Sequence, residues 1–533
     1  MKQKVQVEEK PMSRSELILF IFLASLYLLT AAGYPTTSMG VSALLTATSV
    51  IEEGTFALEE PTLETGIGVD GKYYSYEGLA FLLVVSFFAA LSKLLGMFPN
   101  GVFFTNSILT SLACVILFLI GRELKYSIKT SILMTLIYGV GTMAWVHSRY
   151  LMPEPLTTIV YLTAFLFLLK YRKMRKGTWL FLCGCFTGFA LIVRPDAPLF
   201  ILVIVSGILV LFYNDYREGK KTLIILLRDG LIFISPLLVF FALYAYYNYA
   251  RFGDILELGY ATKAQEVGTI EGEGKGIGIK GFGDTILGFL GMWVIPCRSM
   301  FFINPILIFI FWAVKDFWRK FRFEFILIAV ILCLHVLLYS NRGSVGFPGS
   351  SAWGIRYMVP MTGFLVIVMG TFVNRMTTRP RGALYFRVFV TVFILSALFQ
   401  FIGSSVTYQD TQVHLENRYN TPEDKWAARK MMNLNPRWNL ITQNMKHLLL
   451  SGDINFMYIN YLKHDDFYFI VFDWQLGRGF PAWVGVTLVI FVITFTASGY
   501  LLLRILLRST LERRKVEKSS GKRQLQGKKK RRH

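Results

Sequence analysis

Charged residues are scarce in this sequence. They fill 17% of 533 positions, against about 25% in an ordinary soluble domain. The shortfall is uneven. Uncharged apolar stretches of about 16 to 20 residues recur between short charged loops, and that length matches a bilayer core. The pattern excludes a soluble enzyme, a coiled coil and a disordered chain. Cysteine is scarce too: five in the whole chain exclude a secreted disulfide scaffold. Cys114, Cys183, Cys185 and Cys333 lie inside apolar runs and Cys297 at the edge of one, so all five read as small buried hydrophobes. Acids are the minority charge, 34 Asp and Glu against 56 Lys and Arg, for a net +22. From Arg508 onward twelve Lys and Arg face only Glu512 and Glu517, a balance of +10 gathered in one tail. A juxtamembrane polybasic segment facing anionic cytoplasmic lipid accounts for this better than nucleic-acid binding does.

What is present sets a topology. A polar, somewhat basic start precedes an apolar run over 17–32. With hydrophobic segments continuing along the chain, that run reads as a retained first span with the N-terminus inside, not a cleaved leader. Basic loops at 122–129, 170–176, 214–229, 315–324 and 374–387 are expected on the cytoplasmic side, together with the tail. Loops poorer in positive charge, at 148–154, 194–196, 251–298, 341–356 and 406–481, are expected outside. This alternation holds only if the apolar segment 78–98 does not cross but lies at the outer face or re-enters, packed on protein. The expected architecture is all-α and polytopic, with about twelve crossings and both termini cytoplasmic. It comprises a transmembrane module over 1–405 with a long acidic first outward loop (34–77), an extracytoplasmic loop or small cap over 406–480, a last span over 481–507 and a basic tail over 508–533.

Charges at a membrane boundary are costly and tend to be functional. HSRYLMPEP carries His147, Arg149 and Glu154; IVRPDAP carries Arg194 and Asp196; AWGIRYMVP carries Trp353, Arg356 and Tyr357. The first outward loop adds DGKYYSYEG, with Asp70, Lys72, Tyr74 and Glu77. Converged, these turns would put guanidinium, carboxylate and aromatic groups just outside the bilayer. Guanidinium suits a phosphate through bidentate hydrogen bonds. A carboxylate suits a general base that takes a proton from a hydroxyl. Local pairing or snorkelling is the competing explanation for each Arg, least so for Arg194. The stretch GEGKGIGIKG lacks the Ser/Thr and strand–helix setting of a phosphate loop, and reads as a flexible loop gating the substrate. His335 reads as a packed core histidine. His464 and Asp465 have no third partner for a metal.

The layout resembles the GT-C superfamily of membrane glycosyltransferases, in the branch that uses polyprenyl-phosphate sugars and includes the protein O-mannosyltransferases and the lipid A aminoarabinose transferase. The resemblance runs over about 17–373. It rests on EEGTF, DGKYYSYEGLAFLL, GRELKYS, SRYLMPEPL, GFALIVRPDAPLF, YYNYARFGDILELGY and SSAWGIRYMVP in that order. It implies a catalytic carboxylate and acceptor binding in the first loop, a second carboxylate at Glu154, and a cation contacting the lipid phosphate at Arg194. The chain departs from the pattern in two respects: the family's Pro-rich turn before the non-crossing helix is replaced by YEG, and an Asp is missing. The family's Asp precedes the Gly matching Gly54 by some fifteen residues, where this sequence reads YPTTSMG. Either the base is another residue, with Asp70, Glu77 and Glu154 as candidates in no order, or the chain has lost or changed the activity. Arg194, Arg149 and Arg356 are expected at the donor phosphate, and Tyr74, Asp196, Trp353 and Tyr260 at the substrates.

The expected activity is transfer, with inversion, of a sugar from a polyprenyl- or dolichyl-phosphate donor to a glycan, lipid or protein acceptor on the extracytoplasmic face of the cell membrane. A monophosphate leaving group held by Arg requires no metal and no other cofactor. Two alternatives stand beside it: a transporter or flippase for a lipid-linked sugar, and a noncatalytic subunit of a transferase complex. Charges that gather at span ends, not within spans, favour the enzyme.

Overall fold

The computed structural model describes residues 14–259, 282–294, 298–342, 352–378, 383–406, 440–452, 454–463 and 482–530. The chain is a polytopic, overwhelmingly helical membrane protein. Helix α1 (Arg14–Leu29) leads to α2 (Ser38–Glu52), a small sheet, and α3 (Leu79–Leu94). Then follow α4 (Thr105–Glu123), α5 (Ile128–Gly141), the turn α6 (Ala144–His147), α7 (Glu154–Met174), α8 (Gly177–Phe189), α9 (Ala197–Arg217) and α10 (Leu223–Phe252). Later helices are α11 (Phe282–Trp293), α12 (Met300–Ile303), α13 (Ile310–Lys320), α14 (Arg322–Arg342), α15 (Val359–Thr378) and α16 (Ala383–Ser405). The last are α17 (Leu440–Ser451), α18 (Met457–Lys463) and α19 (Ala482–Lys530).

Seven helices among the described residues are long and apolar enough to cross a membrane: Asn100–Glu123, Ala197–Arg217, Leu223–Phe252, Arg322–Ser340, Arg356–Thr378, Leu384–Ser405 and Ala482–Leu507. Four more are apolar but shorter: Ser38–Glu52, Leu79–Leu94, Ile128–Gly141 and Gly177–Val193. The expectation of about twelve crossings counted shorter apolar stretches as spans. The segment expected not to cross corresponds to α3, which is one of the shorter helices. Most of the expected cap over 406–480 lies outside the described residues, apart from α17 and α18.

Small residues and capping chemistry explain the packing. Without a hydrophobic driving force in lipid, helices associate through close backbone contact. On α8, a Cβ at Gly184 would stand 2.3 Å from Phe233 O, and one at Gly188 would stand 2.9 Å from Leu237 Cα of α10. Only glycine permits that approach. Thr37 caps α2 by accepting from Gly40 N at 3.0 Å, and Ser127 caps α5 by accepting from Thr130 N at 3.1 Å. Charges of the basic loops also tie helices together. Arg175 after α7 meets Asp215 of α9 at 2.8 Å, and Arg172 of α7 pairs with Glu324 of α14. Cys114 and Cys183 are buried as expected, but Cys185 is half-buried and Cys333 is exposed on the helix surface.

The first loop holds strands the sequence reading did not foresee. β1 (Ala57–Leu58), β2 (Thr65–Ile67) and β3 (Tyr73–Ser75) form an antiparallel sheet in the order β1-β3-β2, with Ala57 opposite Tyr74 and Thr65 opposite Ser75. Strand β3 runs directly into Glu77. Gly78 follows at the N-cap of α3, where a Cβ would lie 2.3 Å from Val193 O and 2.6 Å from Ile192 O. The first loop is therefore pressed, backbone against backbone, onto the turn that carries Arg194.

Candidate active site

The site is built where helices begin. Glu154 is the first residue of α7, after Pro153 at the cap, a position where a carboxylate meets the positive end of the helix dipole. Asp196 is the residue before α9, but its carboxylate makes no helix-capping bond. It turns instead to Arg194. The Arg194 guanidinium is spent three ways: Nη1 donates to Glu154 Oε1 at 3.0 Å, Nε to Asp196 Oδ1 at 3.0 Å, and Nη2 to Tyr339 Oη at 3.1 Å. The Tyr339 hydroxyl in turn donates to Asp196 Oδ2. Burial alone would raise the Asp196 carboxyl; Arg194 first, then His335 and Tyr339, outweigh it and hold Asp196 below the usual range. Both carboxylates and the guanidinium are buried, so these charge-assisted bonds are little screened.

A second cation stands beside this network. The Arg194 guanidinium carbon lies 5.2 Å from the centre of the Tyr357 ring, and that of Arg356 lies 4.7 Å from the same centre. Tyr357 itself stacks on Tyr339, centroids 4.4 Å apart and rings 5° from parallel. Arg356 Nη2 donates to Tyr357 Oη at 2.7 Å and Nη1 lies 2.6 Å from Met39 Sδ of α2, while Nε is buried without a hydrogen-bond partner. A thioether is a weak acceptor. Arg356 thus keeps donor capacity that Arg194 does not.

Glu77 is the group out of balance. Its side chain is 4% exposed, and Oε1 has no hydrogen-bond partner. Burial pushes its carboxyl up to about 8, the negative charges of Glu154 and then Glu64 add to this, and Arg356 and Arg194 oppose it. His147 is also fully buried; its Nδ1 bonds Met143 O at 2.9 Å and its Nε2 has no partner. Burial lowers it below its ordinary value, against the opposing pull of Glu154. Among the described residues no three His, Cys, Asp or Glu side chains gather as metal ligands would.

A buried Arg with two carboxylates, a second Arg and an acid with an unpartnered oxygen thus gather at the starts of helices in a multi-pass protein. Residues 100–255 match the family model of dolichyl-phosphate-mannose-protein mannosyltransferase. The matched stretch holds Glu154, Arg194 and Asp196; Glu77, Tyr339 and Arg356 lie outside it. Among solved structures, the protein is similar to ArnT from Cupriavidus metallidurans bound to undecaprenyl phosphate, at TM-score 0.43 and 13% identity over 83% of this chain and 79% of that one. It is similar to the same protein in the apo state at TM-score 0.44 and 10% identity, over 81% and 76%. No curated protein matches the chain.

The site gathers some of the expected residues and disperses others. Glu77, Glu154, Arg194, Asp196 and Arg356 belong to one electrostatic cluster. Asp70 does not look inward: it is exposed at the β2–β3 turn, where Tyr74 Oη donates to Oδ2 at 2.7 Å and Lys72 N to Oδ1 at 3.1 Å. Residue type says nothing about which way a hairpin tip faces, and this one places Asp70 away from the cluster. Tyr74 therefore serves the hairpin, its ring edge-on to Phe252 at 6.2 Å. Arg149 is engaged elsewhere, donating to Asn455 O and lying 5.9 Å from the Phe456 ring centre. Trp353 is a packing residue, fully buried against Gly403, where a Cβ would come within 2.4 Å of its ring. Tyr260 lies outside the described residues, as do His464, Asp465 and most of the Gly-rich loop.

Two residues were missed. His335 is buried as expected, with Nδ1 bonded to Ile331 O at 2.9 Å, but its Nε2 stands 4.0 Å from Asp196 Oδ2. Tyr339 closes the Arg194 network. The two are four apart on α14, hence on one face, and that spacing was the available signal.

Proposed function

We propose that this protein is a GT-C-type glycosyltransferase that transfers a sugar from a polyprenyl-phosphate donor to the hydroxyl of a glycan, lipid or protein acceptor on the extracytoplasmic face, with both termini cytoplasmic. The observation that carries the reading is Glu77: a buried carboxyl without a partner on Oε1, held against a turn whose Arg is fully committed to two other acids. The acceptor oxygen attacks the anomeric carbon. A carbon–oxygen bond forms there as the bond to the phosphate oxygen breaks, and its electron pair leaves with the polyprenyl phosphate. The hydroxyl proton passes to Glu77. Attack opposite the leaving group inverts the anomeric configuration.

The phosphate role shifts from the expectation. Each Arg194 nitrogen already makes a hydrogen bond, two of them to Glu154 and Asp196, so its part is to hold those carboxylates in place. Arg356, with an unpartnered Nε and an Nη1 facing only sulfur, is the cation able to receive the phosphate. Arg356→Ala is expected to raise the donor KM at least tenfold while the acceptor KM stays within twofold. Steady-state kinetics in lipid nanodiscs check this; an unchanged donor KM removes Arg356 from the phosphate.

The pH dependence follows from Glu77. A base raised to about 8 is mostly protonated at neutral pH. Turnover is expected to rise roughly tenfold per pH unit below about 8 and to level off above it. The sign for stability is opposite. Glu77 ionises near its ordinary value in the unfolded chain but only near 8 when folded, so its contribution is full below about 4.5 and is lost as pH rises to about 8. A pH–rate profile with radiolabelled polyprenyl-phosphate sugars tests the reading. A flat profile from pH 6 to 9 contradicts it.

A further inference from the structure

The sheet that delivers Glu77 is gripped by a side chain from the end of α10. Arg251, in the last turn of α10, is buried. Its Nη1 donates to Ser75 O of β3 at 2.8 Å, Nη2 to Asn248 Oδ1 at 2.9 Å, and Nε to Tyr247 O at 3.3 Å. Its guanidinium carbon lies 3.8 Å from the Tyr247 ring centre and 4.6 Å from that of Phe252. The backbone adds a second tie, Val69 N donating to Arg251 O at 2.8 Å. Asn248, itself buried, donates to Ile255 O at 3.2 Å and so fixes the chain that leaves the helix. That chain passes over the residue before Glu77: a Cβ at Gly259 would stand 3.0 Å from the Tyr76 ring.

Ser75 is two residues from Glu77, and the peptide N–H of Glu77 donates to Ser75 Oγ at 3.3 Å. A guanidinium fixed by three bonds and two rings leaves its Ser75 bond little freedom to wander. We infer that Arg251 is a positioning residue for Glu77, holding β3 to the end of α10 so that the carboxyl stays in its dry, unpartnered place. The inference rests on the reading of Glu77 as the base. Lysine cannot replace it, because an ammonium presents no planar fork to reach Ser75 O and Asn248 Oδ1 at once.

The test uses the full chain in nanodiscs, with Arg251→Lys and, as a milder cut, Asn248→Ala. Two readouts are taken: the pH–rate profile, and the labelling of Glu77 by dicyclohexylcarbodiimide, which attacks protonated carboxyls in apolar surroundings, read by mass spectrometry. If Arg251 positions Glu77, loosening β3 lets water in and returns the carboxyl toward ordinary acidity. The expected result is kcat down at least tenfold in Arg251→Lys with KM within twofold, a rate limb moved at least one pH unit toward acid, and labelling at pH 7 down severalfold. Asn248→Ala is expected to move all three in the same direction by less. A lower melting temperature with kcat, limb and labelling unchanged overturns the inference and leaves Arg251 as a structural tie. Labelling needs no transfer reaction. A labelling shift in a protein that releases no polyprenyl phosphate therefore upholds the positioning and overturns the proposed base instead.

Discussion

Glu77→Gln is expected to lower kcat by about 10²–10⁴-fold, the range that a positioned general base contributes, with the protein as stable as wild type or more so. The substitution keeps shape and removes only the ability to take a proton. It also removes an acid whose ionisation is opposed by burial and by Glu154, so above pH 5 the variant is expected to melt at or above the wild-type temperature. Loss of turnover without loss of stability separates a chemical role from a packing one. Asp70→Asn is the control. Its carboxylate is exposed and bonded within its own turn, so turnover is expected to stay within about twofold, as for a surface change of less than about 0.5 kcal/mol. Equal losses in the two variants would place the base outside Glu77.

Arg194→Ala carries the second large effect, and here stability falls together with activity. One guanidinium pairs with both Glu154 and Asp196 and bonds Tyr339. Its removal leaves two carboxylates in a buried setting without their cation. Removing one partner of a buried ion pair costs about 3–5 kcal/mol, and Arg194 serves two. Arg194→Ala is therefore expected to lose transfer and to lower the midpoint of thermal unfolding in detergent by several degrees. The double substitution Glu154→Gln with Asp196→Asn in the Arg194→Ala background is expected to recover much of the stability, since it removes the stranded charges, but none of the activity. A single Arg194→Ala that melts as wild type would mean the carboxylates are not held by this residue.

The sequence made the Arg194 turn legible because charge beside Pro at the end of an apolar run is costly unless used. Glu154, Arg194, Asp196 and Arg356 were found on that ground. Tyr339 and His335 were not, because within an apolar helix a Tyr or His looks like packing until its neighbour is known. Asp70 and Trp353 show the reverse error: residue types suited to chemistry, one turned to solvent and one filling space against Gly403. The sheet was missed because strands of two and three residues are too short to show an alternation. The clamp at Arg251 was invisible for a related reason. Its partner is the carbonyl of Ser75, 176 positions earlier in the chain, and a backbone acceptor leaves no mark in the sequence. The helical membrane architecture was the most legible layer, since span length and loop charge are written in composition.

The measurement that tests the central claim most directly is the release of free polyprenyl phosphate from radiolabelled polyprenyl-phosphate sugars by purified protein in nanodiscs, with crude membranes as acceptor. Wild type and Glu77→Gln are compared side by side. The account predicts release matched mole for mole by sugar on the acceptor, with inverted anomeric configuration, and release at least a hundredfold slower in Glu77→Gln. Donor bound without release by wild type under every donor and acceptor, or release undiminished in Glu77→Gln, would contradict it.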